Sequence, residues 1–187
     1  MQDTNLLQAI NTMLSCIGEA PVSSLDSGLP TDAVIAQNIL EETSREVQAR
    51  KWWFNTLTDQ KLVKQSNGKV AVPTNWATVD HDDYNYIKRG GFLYDLDKAT
   101  DVFTADVTGL EAVIWLDFAD IPEPVRSYVI IRASRLFFER MIGESSRAAM
   151  LQNNESQAYL SIQQYDSDQS DLNIFNNTFV NLQRRRF

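Results

Sequence analysis

A single cysteine, Cys16, excludes a disulfide within this 187-residue chain and any multi-cysteine zinc site. A single histidine, His81, likewise excludes a site of the H-E-x-x-H kind, which needs at least two. Positive charge is also scarce. Lys and Arg number 17 against 25 Asp and Glu, giving a net charge of −8, a field that repels phosphate and disfavours a nucleic-acid-binding surface. No apolar run approaches the roughly 18 residues that span a bilayer, so no membrane partner is expected. The opening residues show no basic stretch followed by an apolar one, and the expectation is a soluble protein made in the cell interior. At 43% hydrophobic the chain can bury a sizeable core, which argues against global disorder.

The apolar residues have helical spacing at both ends of the chain. Leu6, Leu7, Ile10, Met13, Leu14 and Ile17 share one helical face over residues 4–17, with Asp3 or Thr4 as cap and Gly18 and Pro21 as stop signals. A second helix runs from about Thr31 or Asp32 to Arg50, with Ala36, Ile39, Leu40, Thr43 and Val47 as its stripe. Past Trp52-Trp53-Phe54 the pattern changes to short β-type runs and turn chemistry. Asn67-Gly68 and Gly90-Gly91 predict two hairpins, and Val102–Thr104 and Ala112–Leu116 supply further β-branched or aromatic runs. Helical signal resumes after Pro122-Glu123-Pro124. Residues 124–142 are apolar around most of the circumference, the mark of a central helix, and a narrower stripe runs from about Ser145 to Gln169.

The resulting expectation is an α+β chain. It is a mostly helical antiparallel four-helix bundle from residues 1–52 and 122–170, with a small antiparallel β unit inserted at 53–121. Residues 171–187 form an extended C-terminal arm carrying Phe175, Phe179, Arg184, Arg185, Arg186 and Phe187. The arm has a net charge of +2, so the total of −8 leaves −10 on the body. Aromatic and arginine side chains on a basic arm suit docking onto an acidic partner, although a solvated terminus reads the same way.

Catalytic patterns are weak. Asp80, Asp82 and Asp83 surround His81 and could flank a general base or hold a cation, but loops collect Asp for turn reasons alone. Asp95, Asp97 and Asp101 fail as a calcium loop, because Thr100 stands where Gly is needed and no Glu closes the pattern. Asp117 and Asp120 have no sign of a shared cleft. Ser15-Cys16 lacks a nucleophile elbow, and no phosphate-cradling glycine loop occurs. Trp52, Trp53 and Trp76 could stack on a base or sugar, but packing is the commoner use of large aromatics. Arg126, Arg132, Arg135 and Arg140 could line a basic stripe or bridge to acidic neighbours. No catalytic, cofactor or metal residues are assigned.

Several strings, in order, resemble one family. They are Ala9–Leu14 followed by Ile17–Val22, Arg45–Gln48 with Trp52 or Trp53 and Phe54-Asn55-Thr56, and Val72–Asn75. Arg89-Gly90-Gly91-x-Leu93-Tyr94-Asp95, Leu116-x-Phe118-x-x-Ile121-Pro122-Glu123 and Arg126-x-Tyr128 with Arg132-Ala133-x-Arg135 follow. Together they resemble the tail tubular protein A family, the head-to-tail adaptors of short-tailed bacteriophages (podoviruses). Lys51-Trp52-Trp53 departs from the glycine-tryptophan expected there, and the C-terminal arm matches less well.

The resemblance implies a non-enzymatic virion protein made in the host cytoplasm. It implies self-association into a ring of about twelve subunits joining the portal to the nozzle protein, tail tubular protein B. Tail fibres would attach near the ring–nozzle junction. The acidic charge would let DNA cross the lumen without specific binding during ejection, and the aromatic and arginine residues of the arm suit docking on portal. The competing reading is a virion-associated polysaccharide or peptidoglycan hydrolase using carboxylates of the β unit.

Overall fold

The computed structural model describes residues 5–26, 28–143 and 145–176. In chain order its elements are α1 (Leu6–Ile17), α2 (Thr31–Gln48), β1 (Thr56–Leu62), β2 (Trp76–His81), β3 (Tyr86–Arg89), β4 (Phe92–Asp95), β5 (Val107–Ile114), a 3-10 turn (Phe118–Asp120), α3 (Glu123–Met141) and α4 (Ser145–Asn176). The architecture is α+β. The chain divides into two compact units, one of Met1–Ser44 with Phe118–Phe187 and the other of Arg45–Asp117.

In the helical unit, α1 starts with a reciprocal cap. The Gln8 amide donates to Asn5 Oδ1 at 2.9 Å, and the Asn5 amide donates to Gln8 Oε1 at 3.2 Å. The cap is therefore Asn5 rather than Asp3 or Thr4, because Asn5 is the residue whose third neighbour, Gln8, can return the bond. Ala9, Ile10, Met13 and Leu14 bury the predicted face. Asn11 ties α1 to the following loop, donating to the Val22 carbonyl at 3.0 Å and accepting from the Val22 amide at 2.8 Å. Within α2, Ala36, Ile39, Leu40 and Thr43 are buried as their spacing requires. The central helix is α3, which packs against both α1 and α4. Val129, Ala133, Phe137 and Phe138 are buried on it, while Met141 and Ile142 at its end are exposed. The fourth helix continues to Asn176, past the expected end at Gln169 and six residues into the range given to the arm. No glycine or proline lies between Ser145 and Asn176 to stop it.

In the β unit, β5 is the middle strand of an antiparallel sheet in the order β1-β5-β2, and β3 pairs with β4 as a separate hairpin. Thr56 faces Val113 and Leu62 faces Val107, with a register shift after Leu57 where Asp59 takes φ +53°. That bulge interrupts an edge strand, the position where regular pairing invites association. The Gly90-Gly91 hairpin forms as predicted, with Arg89 opposite Phe92. The Asn67-Gly68 prediction is only partly met. The turn exists, with the Gln65 amide donating to the Lys69 carbonyl at 2.8 Å, but pairing is limited to a bridge between Lys64 and Val70. Val102–Thr104 forms no strand. Instead the Phe103 amide donates to the Gly68 carbonyl at 2.8 Å and the segment closes over the turn, while the Val70 carbonyl accepts from the Leu93 amide and the Val72 amide donates to the Gly91 carbonyl of the second hairpin.

The ends of the β unit converge on two buried polar side chains. Gln48, at the end of α2, accepts from the Leu116 amide at 2.7 Å and donates to the Leu116 carbonyl at 3.2 Å. Asn55, just before β1, accepts from the Trp52 amide at 3.1 Å and donates to the Gln48 carbonyl at 2.6 Å. Asn55 Nδ2 also reaches the Ile114 carbonyl at 3.2 Å. Trp52 is buried and its indole N–H donates to the Val47 carbonyl at 2.8 Å, so the ring and its polar edge are both accommodated.

Removing one member of this cluster leaves buried partners unpaired, so Asn55→Ala is expected to cost about 2–3 kcal/mol in urea unfolding. A loss below about 1 kcal/mol would refute the clamp role. Gly68 has φ +82°, and a Cβ there would lie 2.7 Å from Val102 Cγ1. Gly68→Ala is expected to cost about 1–2 kcal/mol from the left-handed backbone, plus displacement of Val102; an unchanged denaturation midpoint would contradict this.

Candidate functional site

Two groups of chemically capable side chains stand out, one in each unit. In the β unit a cleft of about 510 Å³ lies against His81, Tyr84, Tyr86, Phe103 and the loop that follows. A tight turn in which the Tyr86 amide donates to the Tyr84 carbonyl at 3.1 Å brings the two tyrosines together, and their rings stack at 5.3 Å with planes 15° apart. His81 lies 4.9 Å from Tyr84 and 5.6 Å from Tyr86, and Phe103 meets Tyr86 edge-on at 5.6 Å. Burial pushes the Tyr86 hydroxyl above its ordinary value, and the nearby Asp95 carboxylate adds to the shift.

Asp82 and Asp83 are exposed, whereas Asp80, Asp95, Asp97 and Asp101 have separate structural partners. Asp80 pairs with Lys51 at 3.2 Å, and that contact together with the His81 amide holds its carboxyl below the usual range. Lys51 also pairs with Glu111, which is the first cause of its raised pKa. His81 Nδ1 accepts from the Asp83 amide at 3.0 Å, which ties the ring to the turn. Asp95 is buried, accepts from the Lys98 amide at 2.9 Å and pairs with the Lys98 ammonium at 3.2 Å. Asp97 accepts from Asn85 Nδ2 at 2.7 Å, and Asp101 pairs with Lys69 at 2.7 Å. The three carboxylates of the failed calcium pattern thus serve three different contacts. Asp117 and Asp120 are both exposed. Among the described residues, no group of three or more His, Cys, Asp or Glu is placed to hold a metal ion.

The tryptophans separate by burial. Trp52 and Trp76 are core residues, whereas Trp53 is partly exposed and meets Phe54 edge-on at 6.0 Å. Lys88 is a structural residue that sequence reasoning missed. Its ammonium donates to the carbonyls of Pro73, Thr74 and Trp76 at 3.0, 3.1 and 2.8 Å and holds the loop into β2. Nothing local marks it, because its acceptors lie 12 to 15 residues away.

In the helical unit the four arginines of α3 all meet carboxylates. Arg126 donates to Glu123 at 3.0 Å and to the Ala119 carbonyl at 2.7 Å, and Arg140 reaches Glu42 at 3.5 Å. Arg132 donates to Glu155 of α4 at 2.6 Å. Arg135 also bonds Glu155 and forms a two-pronged contact with Glu139 at 2.8 Å. Glu155 is buried, which by itself would raise its pKa, yet the two guanidiniums hold it below the ordinary value. Tyr128 and Tyr159 pack at 5.5 Å across the same pair of helices.

Of the predicted arm residues, Phe175 falls in the last turn of α4 by its backbone. Its side chain, together with Phe179, Arg184, Arg185, Arg186 and Phe187, lies outside the described residues. No described helix is long and apolar enough to cross a membrane.

These features define an α+β protein in which many of the charged side chains pair within their own unit. A family model described as Tail tubular protein matches residues 7–172, and the chain belongs to that family. It is a structural component of a bacteriophage tail and works among other virion proteins. Comparison with curated proteins found no significant match.

Glu155→Gln keeps the side-chain shape but removes the charge between two arginines. It is expected to cost about 3 kcal/mol near neutral pH, because one partner of a mostly buried ion pair is lost. Glu155 has a lowered folded-state pKa, so its contribution is present above the ordinary value of 4.5 and is lost as pH falls through the folded value. Urea unfolding across that acid range should show a steeper loss for the wild type than for Glu155→Gln. Parallel curves would contradict the linkage.

Proposed function

We propose that this chain is the adaptor ring subunit, tail tubular protein A, joining the portal to the nozzle protein and forming part of the DNA ejection channel. The family match over residues 7–172 carries this reading. In the proposed assembly about twelve copies close a ring through head-to-tail contacts, with the helical unit acting as a four-helix bundle. Tail fibres attach near the ring–nozzle junction. The net charge of −8 supports a lumen through which DNA passes without specific binding, since phosphate contacts would retain it. The β unit is an insertion in the helical chain, and the C-terminal arm docks on portal through Phe175, Phe179, Arg184, Arg185, Arg186 and Phe187. The protein is made in the host cytoplasm and needs no cofactor.

Native mass spectrometry of the full chain mixed with purified portal is expected to show a closed assembly of portal with many copies of this protein. Replacing Arg184, Arg185 and Arg186 with Glu should weaken that complex at least about tenfold and reduce its salt dependence, because a basic docking segment would be inverted. Absence of any complex between wild-type chain and portal would reject the adaptor assignment. Unchanged binding of the triple variant would reject the arm as the contact.

A further inference from the structure

The outer face of α4 differs from the rest of the chain. From Ala149 to Gln164 the only charged residue is Glu155, although 22% of all residues are charged. Glu155 points inward to Arg132 and Arg135, so it adds no charge to the outer face. That face carries Met150, Asn153, Gln157, Leu160 and Gln164, all exposed and spaced alternately by three and four residues. This spacing makes one continuous strip on a helix, of the width that a neighbouring helix covers. Leu160 is 64% exposed and Met150 is 59% exposed, on the opposite side from buried Glu155 and Ile162.

We propose that this strip of α4 is the seam against a helix of a second copy of the same chain; the inference rests on the ring reading given above. Charge favours that occupant. In a head-to-tail ring the strip meets a different face of the neighbouring copy, and a neighbour that carries −8 is repelled less by an uncharged strip than by an acidic surface. Charge depletion with exposed apolar anchors is also the composition of an interface centre. Asn153, Gln157 and Gln164 each carry both donors and acceptors, so they can pair with polar groups of either kind on the neighbouring copy. Nucleic acid is disfavoured by the lack of any cation on the strip, and a lipid surface by its having only two separated apolar side chains.

The strip is about 24 Å long and about 10 Å wide. That is well below the roughly 800 Å² per partner of a standard interface. A single seam is therefore weak, and closure of a ring, in which every copy contributes to two seams, makes it persistent.

The test is sedimentation velocity of the full chain over a wide concentration range, alone and with purified portal. Wild type is compared with Leu160→Glu and with Val63→Glu, which alters a β-unit residue of matching exposure at 65%. Circular dichroism should show all three folded, since both positions are exposed. Leu160→Glu is expected to weaken self-association at least tenfold, and Val63→Glu to leave it unchanged. Equal losses in the two variants, or none in either, would overturn the seam while leaving the ring reading in place. A wild-type chain that remains monomeric both alone and with portal would overturn the seam and the ring reading together.

Discussion

The β unit depends on the pairing of two buried amides with the backbone where the chain enters and leaves it. Gln48 binds both the amide and the carbonyl of Leu116, and Asn55 binds the Trp52 amide and the Gln48 and Ile114 carbonyls. Buried peptide groups at strand ends have no ladder partner, and water cannot reach them there. Two side chains that each offer a donor and an acceptor satisfy several of these groups at once. The end of α2, the start of β1 and the end of β5 are thereby tied to one point. The sheet order β1-β5-β2 follows naturally from this arrangement, because the two chain ends of the unit leave side by side.

A charged counterpart operates between α3 and α4. The α4 stripe is narrow and its far side is polar, so apolar burial alone gives it a limited hold on α3. Glu155 compensates by binding two arginines one turn apart on α3, with Arg135 further oriented by Glu139. Such a pair fixes the register of the two helices more strictly than a smooth apolar contact would, since a shift by one turn would strand three charges in a mostly buried place. The same arrangement leaves the outer face of α4 free of charge between Ala149 and Gln164.

This distribution of charge connects the fold to a structural role in a phage tail. Acidic groups in the β unit pair locally with lysines, as at Lys51, Lys69 and Lys98, and the net acidity remains on the surface. His81 lies beside the stacked rings of Tyr84 and Tyr86 and accepts from the Asp83 amide, so its ring braces the turn that follows β2.

Much of the local structure was legible in the sequence by itself. Helical spacing located α1, α2 and α3, and Gly90-Gly91 located a hairpin, because these signals depend on neighbours within a few residues. The order of family-like strings identified the tail tubular family, and the arginine–carboxylate pairing of α3 was foreseen as one of two readings. Tertiary structure alone decided the rest. Phe103 reaches Tyr86 and Gly68 from a loop that spacing marked as β-type, and Lys88 finds its carbonyl acceptors many residues away. Asn55 and Gln48 look like ordinary polar residues until their partners, 59 and 68 positions distant, are brought to them. A residue's type states which bonds it can make, but only the folded chain determines which groups lie within reach and away from water.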